Sequence, residues 1–158
     1  MEIEKKYLVK TLPDNLDAYE MLDMKQAYLC GKPVVRVRSI THKDNTEYVL
    51  TVKGEGMVVR EEHELSLDQD AFERLLAKHD GRILAKKRYL IPLDAKHTAE
   101  LDVYFGDLSG LYTVEVEFED SEDMRAFEVP EWFGEDVSEV AEYKNSYLCL
   151  CAEFGNNK

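Results

Sequence analysis

The chain has 158 residues, 44% of them hydrophobic and 34% charged, with a formal net charge of −13. That length suits one domain, residues 1–158, with enough apolar side chains to bury a core. The acidic balance disfavours a nucleic acid polymer or an anionic membrane as partner, and nine Tyr with six Phe argue against disorder.

There is no apolar leader and no run of about 18 apolar residues, so the expectation is a chain that is neither secreted nor membrane-spanning. Cys30, Cys149 and Cys151 cannot all pair within one chain. They read as reduced, buried thiols of a cytoplasmic protein.

The first strand is expected at about 2–9. Its side chains alternate, so Glu2, Glu4 and Lys6 share one face while Ile3 and Tyr7 share the other. A helix is predicted at about 14–23, with Pro13 near its start and Leu16, Tyr19 and Leu22 on one face. Strands follow at about 24–30, Val34–Ile40, about 47–53 and about 58–67, separated by Gly31-Lys32-Pro33, Lys43-Asp44-Asn45 and the Gly54/Gly56 break. Ser66 with Gln69 fits a capping box for a second helix, whose stripe is Phe72, Leu75, Leu76 and His79 and whose end is Gly81. Strands are then expected at Ile83–Pro92, Thr98–Phe105 and about 111–119. Ser121 caps a short acidic helix through Phe127, residues 130–134 form a loop, and a last helix covers roughly 138–152 with a break near Lys144-Asn145. Adjacent strands joined by short turns imply an antiparallel sheet, and about eight strands is the count at which a closed barrel becomes natural.

Charged pairs at i, i+2 recur along these strands: Arg36/Arg38, Glu62/Glu64, Lys86/Arg88, Glu100/Asp102 and Glu115/Glu117, besides Glu2/Glu4. The partner positions are mostly apolar. A sheet with one solvated face explains any single such strand, and its ion pairs would each contribute about 0–1 kcal/mol. Here the pattern recurs on at least six strands, with the signs clustered strand by strand. A closed charged face holding four acid pairs would take up protons or divalent cations. Oxygen ligands without His or Cys suit Mg²⁺ or Mn²⁺. Arg suits bidentate grip on phosphate. The guest that satisfies both signs is a polyphosphate with its metal.

Glu2-Ile3-Glu4-Lys5-Lys6 resembles the ExExK signature of the CYTH, or triphosphate tunnel metalloenzyme, superfamily. The resemblance runs nearly end to end. It continues through Gln26-Ala27-Tyr28-Leu29, Val35-Arg36-Val37-Arg38, Leu50-Thr51-Val52-Lys53-Gly54 and Arg60-Glu61-Glu62-His63-Glu64-Leu65. Lys86-Lys87-Arg88-Tyr89, Glu100-Leu101-Asp102-Val103, Leu111-Tyr112, Val114-Glu115-Val116-Glu117 and Tyr143-Lys144-Asn145-Ser146 complete it.

The resemblance implies an α+β fold: an eight-stranded antiparallel closed β-barrel, or tunnel, with a charged interior and helices packed outside. It implies Mg²⁺ or Mn²⁺ held by Glu2, Glu4, Glu115 and Glu117, and a triphosphate gripped by Lys6, Arg36, Arg38, Lys53, Arg60, Lys86, Arg88 and Lys144. Glu62, Glu64 and Asp102 resemble residues that place a second metal or the attacking water. His63, between two inward carboxylates, is expected to face the other way. The implied activity is metal-dependent hydrolysis of inorganic tripolyphosphate to pyrophosphate and phosphate, by a monomer or homodimer. Thiamine triphosphate, a nucleoside triphosphate or ATP cyclisation is the alternative on the same fold, and a non-catalytic polyphosphate or nucleotide sensor is the alternative outside enzymes. An organic triphosphate would want an aromatic clamp, for which Trp132 is a candidate, though a core or loop anchor suits it better.

Overall fold

Alternating charged and apolar residues produce a 10-stranded antiparallel sheet in the computed structural model, which describes residues 1–150. The strands are β1 (Glu2–Val9), β2 (Glu20–Gly31), β3 (Val34–His42), β4 (Asn45–Lys53), β5 (Val59–Arg60), β6 (Glu62–Leu67), β7 (Asp80–Pro92), β8 (Thr98–Tyr104), β9 (Tyr112–Glu117) and β10 (Phe133–Asp136). Three helices accompany them: α1 (Gln69–Leu76), α2 (Ser121–Ala126) and α3 (Asn145–Leu150).

The strand order is β10-β1-β9-β8-β7-β2-β3-β4-β6, with β5 also paired to β1. That last pairing, Glu2↔Arg60 and Ile3↔Val59, brings the ring round on itself. β5 and β6 act as one stave bent at Glu61, so the ring is β1, β9, β8, β7, β2, β3, β4 and β5/β6, which is the expected eight. β10 takes the rest of the β1 edge, at Tyr7↔Asp136 and Val9↔Phe133. The loop expected over residues 130–134 therefore ends in a strand.

The apolar core lies outside the ring. Tyr7, Leu101, Val114, Val116 and Phe118 point away from the charged face and pack with Phe133, Ile91 and Ala99. Met124 and Phe127, from α2 and the stretch after it, pack against this cluster, as do Leu16, Tyr19 and Trp132. Trp132 lies edge-on to Phe133 with ring centroids 4.7 Å apart, so it is a core anchor and not a clamp for a ligand. α1 covers the opposite flank, where Phe72 meets Tyr48 at 5.0 Å between centroids.

Local expectations give way where the sheet claims the chain. The helix expected at 14–23 is a single 3-10 turn, Leu16–Ala18, preceded by Asn15 at φ 60. Residues 20–23 instead join the β7 ladder, Glu20↔Leu90 through Asp23↔Lys87. Leu16 and Tyr19 still bury their side chains on the outer core, so spacing that suits a helix is met by a turn. The cap of α1 is Asp68, whose Oδ1 accepts from the Ala71 amide at 2.8 Å, in place of Ser66. The cap of α2 is Asp120, one residue before Ser121.

α3 behaves differently from α1 and α2. Its Leu148 and Cys149 pack on Tyr28, Leu84 and Tyr104, side chains of the inner face, so the C-terminal helix stoppers one end of the barrel. The Tyr104 hydroxyl donates to Asn145 Oδ1 at 2.7 Å. Gly81, at φ 66, passes so close to the Cys149 carbonyl that a Cβ there would stand 2.0 Å from it. Cys149 is buried as expected, Cys30 is exposed, and Cys151 and the end of the helix expected to 152 lie outside the described residues. No helix among the described residues is long and apolar enough to cross a membrane.

Candidate active site

The strand alternation of the barrel delivers the charged pairs to one internal cavity of about 210 Å³. Glu2, Glu4 and Lys6 enter from β1, Arg36 and Arg38 from β3, Lys53 from β4, and Glu62 and Glu64 from β6. Arg88, Glu100, Glu115 and Glu117 complete the ring, and Arg60 and Lys144 reach in from β5 and from the residue before α3. The sequence expectation thus meets in space at all but two positions. Lys86 and Asp102 are completely enclosed behind this lining.

The lining is polarised. Glu64 and Glu117 are exposed and Glu62 and Glu100 are partly so, whereas Arg36, Lys53 and Arg88 are buried. The more exposed carboxylates thus lie at the open side, while Arg36 and Arg88 lie deep with the buried Glu115.

On the acid side, Glu2, Glu4 and Glu117 bring one oxygen each to within 4.8 Å of one another. Register explains this: Glu4 stands directly across the ladder from Glu117, and Glu2 is two residues from Glu4 on the same face. Burial, then the charges of Glu115 and Glu2, hold the Glu4 carboxyl well above the usual range. Burial also raises Glu2, although the Lys53 ammonium opposes it. Glu117, the most open of the three, is pushed up to about 7 by partial desolvation and by Glu100, Glu2, Glu62 and Glu115. Three convergent carboxylates that resist losing their protons fit a hard divalent cation, and no His or Cys among the described residues joins them.

Glu115 departs from this group. Its Oε1 accepts from Arg88 Nη2 at 3.1 Å, and despite burial the charges of Lys6, Arg88, Lys86 and Lys53 lower its carboxyl strongly. It touches both sides, bonded to Arg88 and adjacent to Glu4, while the carboxylates that converge within 4.8 Å are Glu2, Glu4 and Glu117. Lys53 donates to Glu2 at 3.0 Å and stands 3.2 Å from Glu62, and Arg60 Nε lies 3.7 Å from Glu2. These two cations steady the acid side. Burial alone would raise Glu62, but its hydrogen bond with Glu2 and the Lys53 ammonium lower it.

On the base side, Arg36 donates from Nη2 to Thr51 Oγ1 at 3.1 Å and keeps a buried Nε without an acceptor. Arg38 Nε is likewise buried and unpaired, and among the described residues Arg38 has no ion pair. Burial, then repulsion from Arg36 and Arg88, lowers its guanidinium to about 9. A half-buried cation whose Nε is sealed from water and has no counter-charge is costly unless an anion joins it. Lys6 donates to the Tyr143 carbonyl at 2.8 Å and Lys144 to the Gly56 carbonyl at 3.3 Å. Burial, with Arg60, Lys6 and Lys53 nearby, lowers Lys144 to about 8.

Glu100 is the lining residue that sequence reasoning passed over for a role, although its i, i+2 pairing with Asp102 was visible. Tyr28, Asn145 and Ser146 also line the cavity, and no charge pattern announced them. His63 is exposed on the outer side beside Glu61, as its strand position requires.

No protein-family model matches this chain. An inorganic triphosphatase of Nitrosomonas europaea is 40% identical over 149 residues, spanning 94% of this chain and 97% of that one. An inorganic triphosphatase of Acetivibrio thermocellus is 32% identical, spanning 93% and 92%. A crystal structure of an inorganic triphosphatase superposes with a TM-score of 0.68 at 38% identity, covering 95% of each chain.

Proposed function

Because this chain belongs to the inorganic triphosphatase family, we propose that it hydrolyses inorganic tripolyphosphate to pyrophosphate and orthophosphate, as a divalent-cation-dependent member of the CYTH superfamily. The observation that carries this reading is that one small cavity brings together a carboxylate triad, Glu2/Glu4/Glu117, and a basic wall in which Arg38 has no counter-ion among the described residues.

Size and surface favour the inorganic substrate. A short phosphate chain suits a cavity of about 210 Å³ walled by charged side chains. The lining offers few apolar groups, and Trp132 is committed to the outer core. Of the aromatics among the described lining residues, Tyr28 is buried against α3, and Tyr143 is the other.

Phosphoryl transfer depends on positioning and charge neutralisation more than on covalent chemistry. Arg36, Arg38 and Arg88, with Lys6 and Lys144, grip the phosphate oxygens from the deep side. The two lysines exchange their present backbone carbonyl partners for phosphate oxygens. Glu62 and Glu64, at the open side, accept from and orient the attacking water. When bound, Mg²⁺ or Mn²⁺ on Glu2, Glu4 and Glu117 supplies charge neutralisation at the phosphate oxygens. Lys53 and Arg60 keep Glu2 turned toward that place. Unbridged Cys30 and Cys149 support a cytoplasmic setting.

A substrate panel tests this reading. With Mg²⁺ or Mn²⁺, orthophosphate release from tripolyphosphate should exceed that from ATP, thiamine triphosphate, pyrophosphate and long-chain polyphosphate by about tenfold or more. Faster turnover of an organic triphosphate, or tight binding of tripolyphosphate without release, overturns it.

A further inference from the structure

Asp102 contributes nothing to the cavity surface, yet it sits at the centre of a buried cluster of ion pairs. Its Oδ2 accepts from Lys86 Nζ at 2.7 Å and from Arg88 Nη2 at 2.9 Å, and its Oδ1 accepts from Arg88 Nε at 2.8 Å. Its side chain and that of Lys86 are both 0% exposed. A carboxylate offers about four lone-pair sites, and three are taken here. The remaining one has no opening to the cavity, because the side chain is fully enclosed behind the lining.

Arg88 is held from two sides. Below, Asp102 grips its Nε–Nη2 edge in a fork. Above, Nη2 also donates to Glu115 Oε1 at 3.1 Å and Nη1 lies 3.6 Å from Glu100 Oε1. Glu100, Glu115 and Arg88 line the cavity, and Asp102 does not. The two cavity acids therefore compete with any phosphate for this guanidinium. Asp102, paired with it geometrically and out of reach of the substrate, fixes the guanidinium plane against that competition.

We propose that Asp102 is a positioning residue: backed by Lys86, it fixes the Arg88 guanidinium so that its free donors meet the triphosphate. It neither orients the attacking water nor holds a cation. This role rests on the triphosphatase reading above.

The test compares Asp102→Asn, Arg88→Gln and the double variant. KM and kcat are measured for tripolyphosphate, and Mn²⁺ affinity by calorimetry without substrate. Asp102→Asn should raise KM by about tenfold or more and leave Mn²⁺ affinity within about twofold. In the Arg88→Gln background the same change should add less than about twofold. Weakened Mn²⁺ binding in Asp102→Asn, or a double-variant loss equal to the product of the single losses, overturns the proposal. Should Asp102→Asn fail to fold, Asp102→Glu keeps the charge, displaces its oxygens by one methylene and takes the same readouts. If the wild type releases no phosphate, the hydrolase reading fails separately. The same three variants, read by calorimetric tripolyphosphate binding, then still decide whether Asp102 acts through Arg88.

Discussion

Glu4 and Glu117 stand directly opposite each other across the β1–β9 ladder, with both carboxylates turned into the barrel. Like charges in that register destabilise a sheet. Two unit charges about 4 Å apart repel by roughly 4 kcal/mol at an effective dielectric of about 20. Glu2 joins them within 4.8 Å, so the fold holds three acids together and leaves their charge to a proton or a cation. A sheet built for stability alone would separate these residues, and function explains why this one does not.

Replacing Glu4 with Gln should reduce Mn²⁺-dependent tripolyphosphate turnover by about 100-fold or more. Calorimetry should show weaker Mn²⁺ binding. The melting temperature of the metal-free protein should hold or rise, since one of three crowded carboxylates is gone. Near-normal turnover would remove Glu4 from the cation site.

Arg38→Ala removes a guanidinium that has no partner among the described residues. The KM for tripolyphosphate should rise by about tenfold. Stability should not fall, because the deleted group is desolvated without compensation. A lower melting temperature with unchanged KM would mean that Arg38 serves the fold and not the substrate.

Phe133→Ala probes the claim that the core lies outside the ring. Phe133 packs on Tyr7 at 5.0 Å and on Trp132 at 4.7 Å between ring centroids. Its loss should cost about 3–5 kcal/mol in denaturant unfolding. A cost below about 1 kcal/mol would mean that the outer cluster is not the stabilising core.

The turn before β8 carries a pH-dependent link to α2. His97 is buried and joins Asp94 through Nδ1 and Asp123 through Nε2, both at 2.9 Å. The hydrogen bond with Asp94, then that with Asp123, raises the His97 pKa although burial opposes them. Asp94 is correspondingly lowered to about 2 by that hydrogen bond and by the Lys96 amide. A raised histidine contributes its full stability below its unfolded pKa of about 6.5, and loses it as pH rises through the folded value. The lowered carboxylates contribute above about pH 4 and lose that contribution in acid. The gap in melting temperature between wild type and His97→Gln should therefore be larger near pH 5.5 than near pH 8.5. An equal gap at the two pH values would show that His97 acts by packing alone.

Much of the site was legible because strand geometry is regular. An i, i+2 pair must share a face, so Glu2/Glu4, Arg36/Arg38 and Glu62/Glu64 announced a common surface before any fold was known. Glu115/Glu117 announced a shared face too, but not a shared role. Across the β1–β9 ladder Glu117 faces Glu4 and Glu115 faces Lys6, and Glu115 bonds Arg88 although Glu100 stands opposite it on β8. The 14–23 helix misled for a related reason. Periodicity at Leu16, Tyr19 and Leu22 records burial, and a turn running into a long strand buries the same side chains.

By itself the sequence determined the strand alternation that sets the charges on one face and the chemistry those charges accept, since each follows from backbone periodicity and side-chain type; that this face turns inward was implied by the family resemblance. Only the tertiary structure decided which groups meet. Asp102 became a sealed anchor behind Arg88, Glu100 came to the cavity surface, and α3 closed one end. The reason is that depth along a barrel and partners across it depend on strand stagger, and stagger leaves no mark in the spacing of residues along one strand.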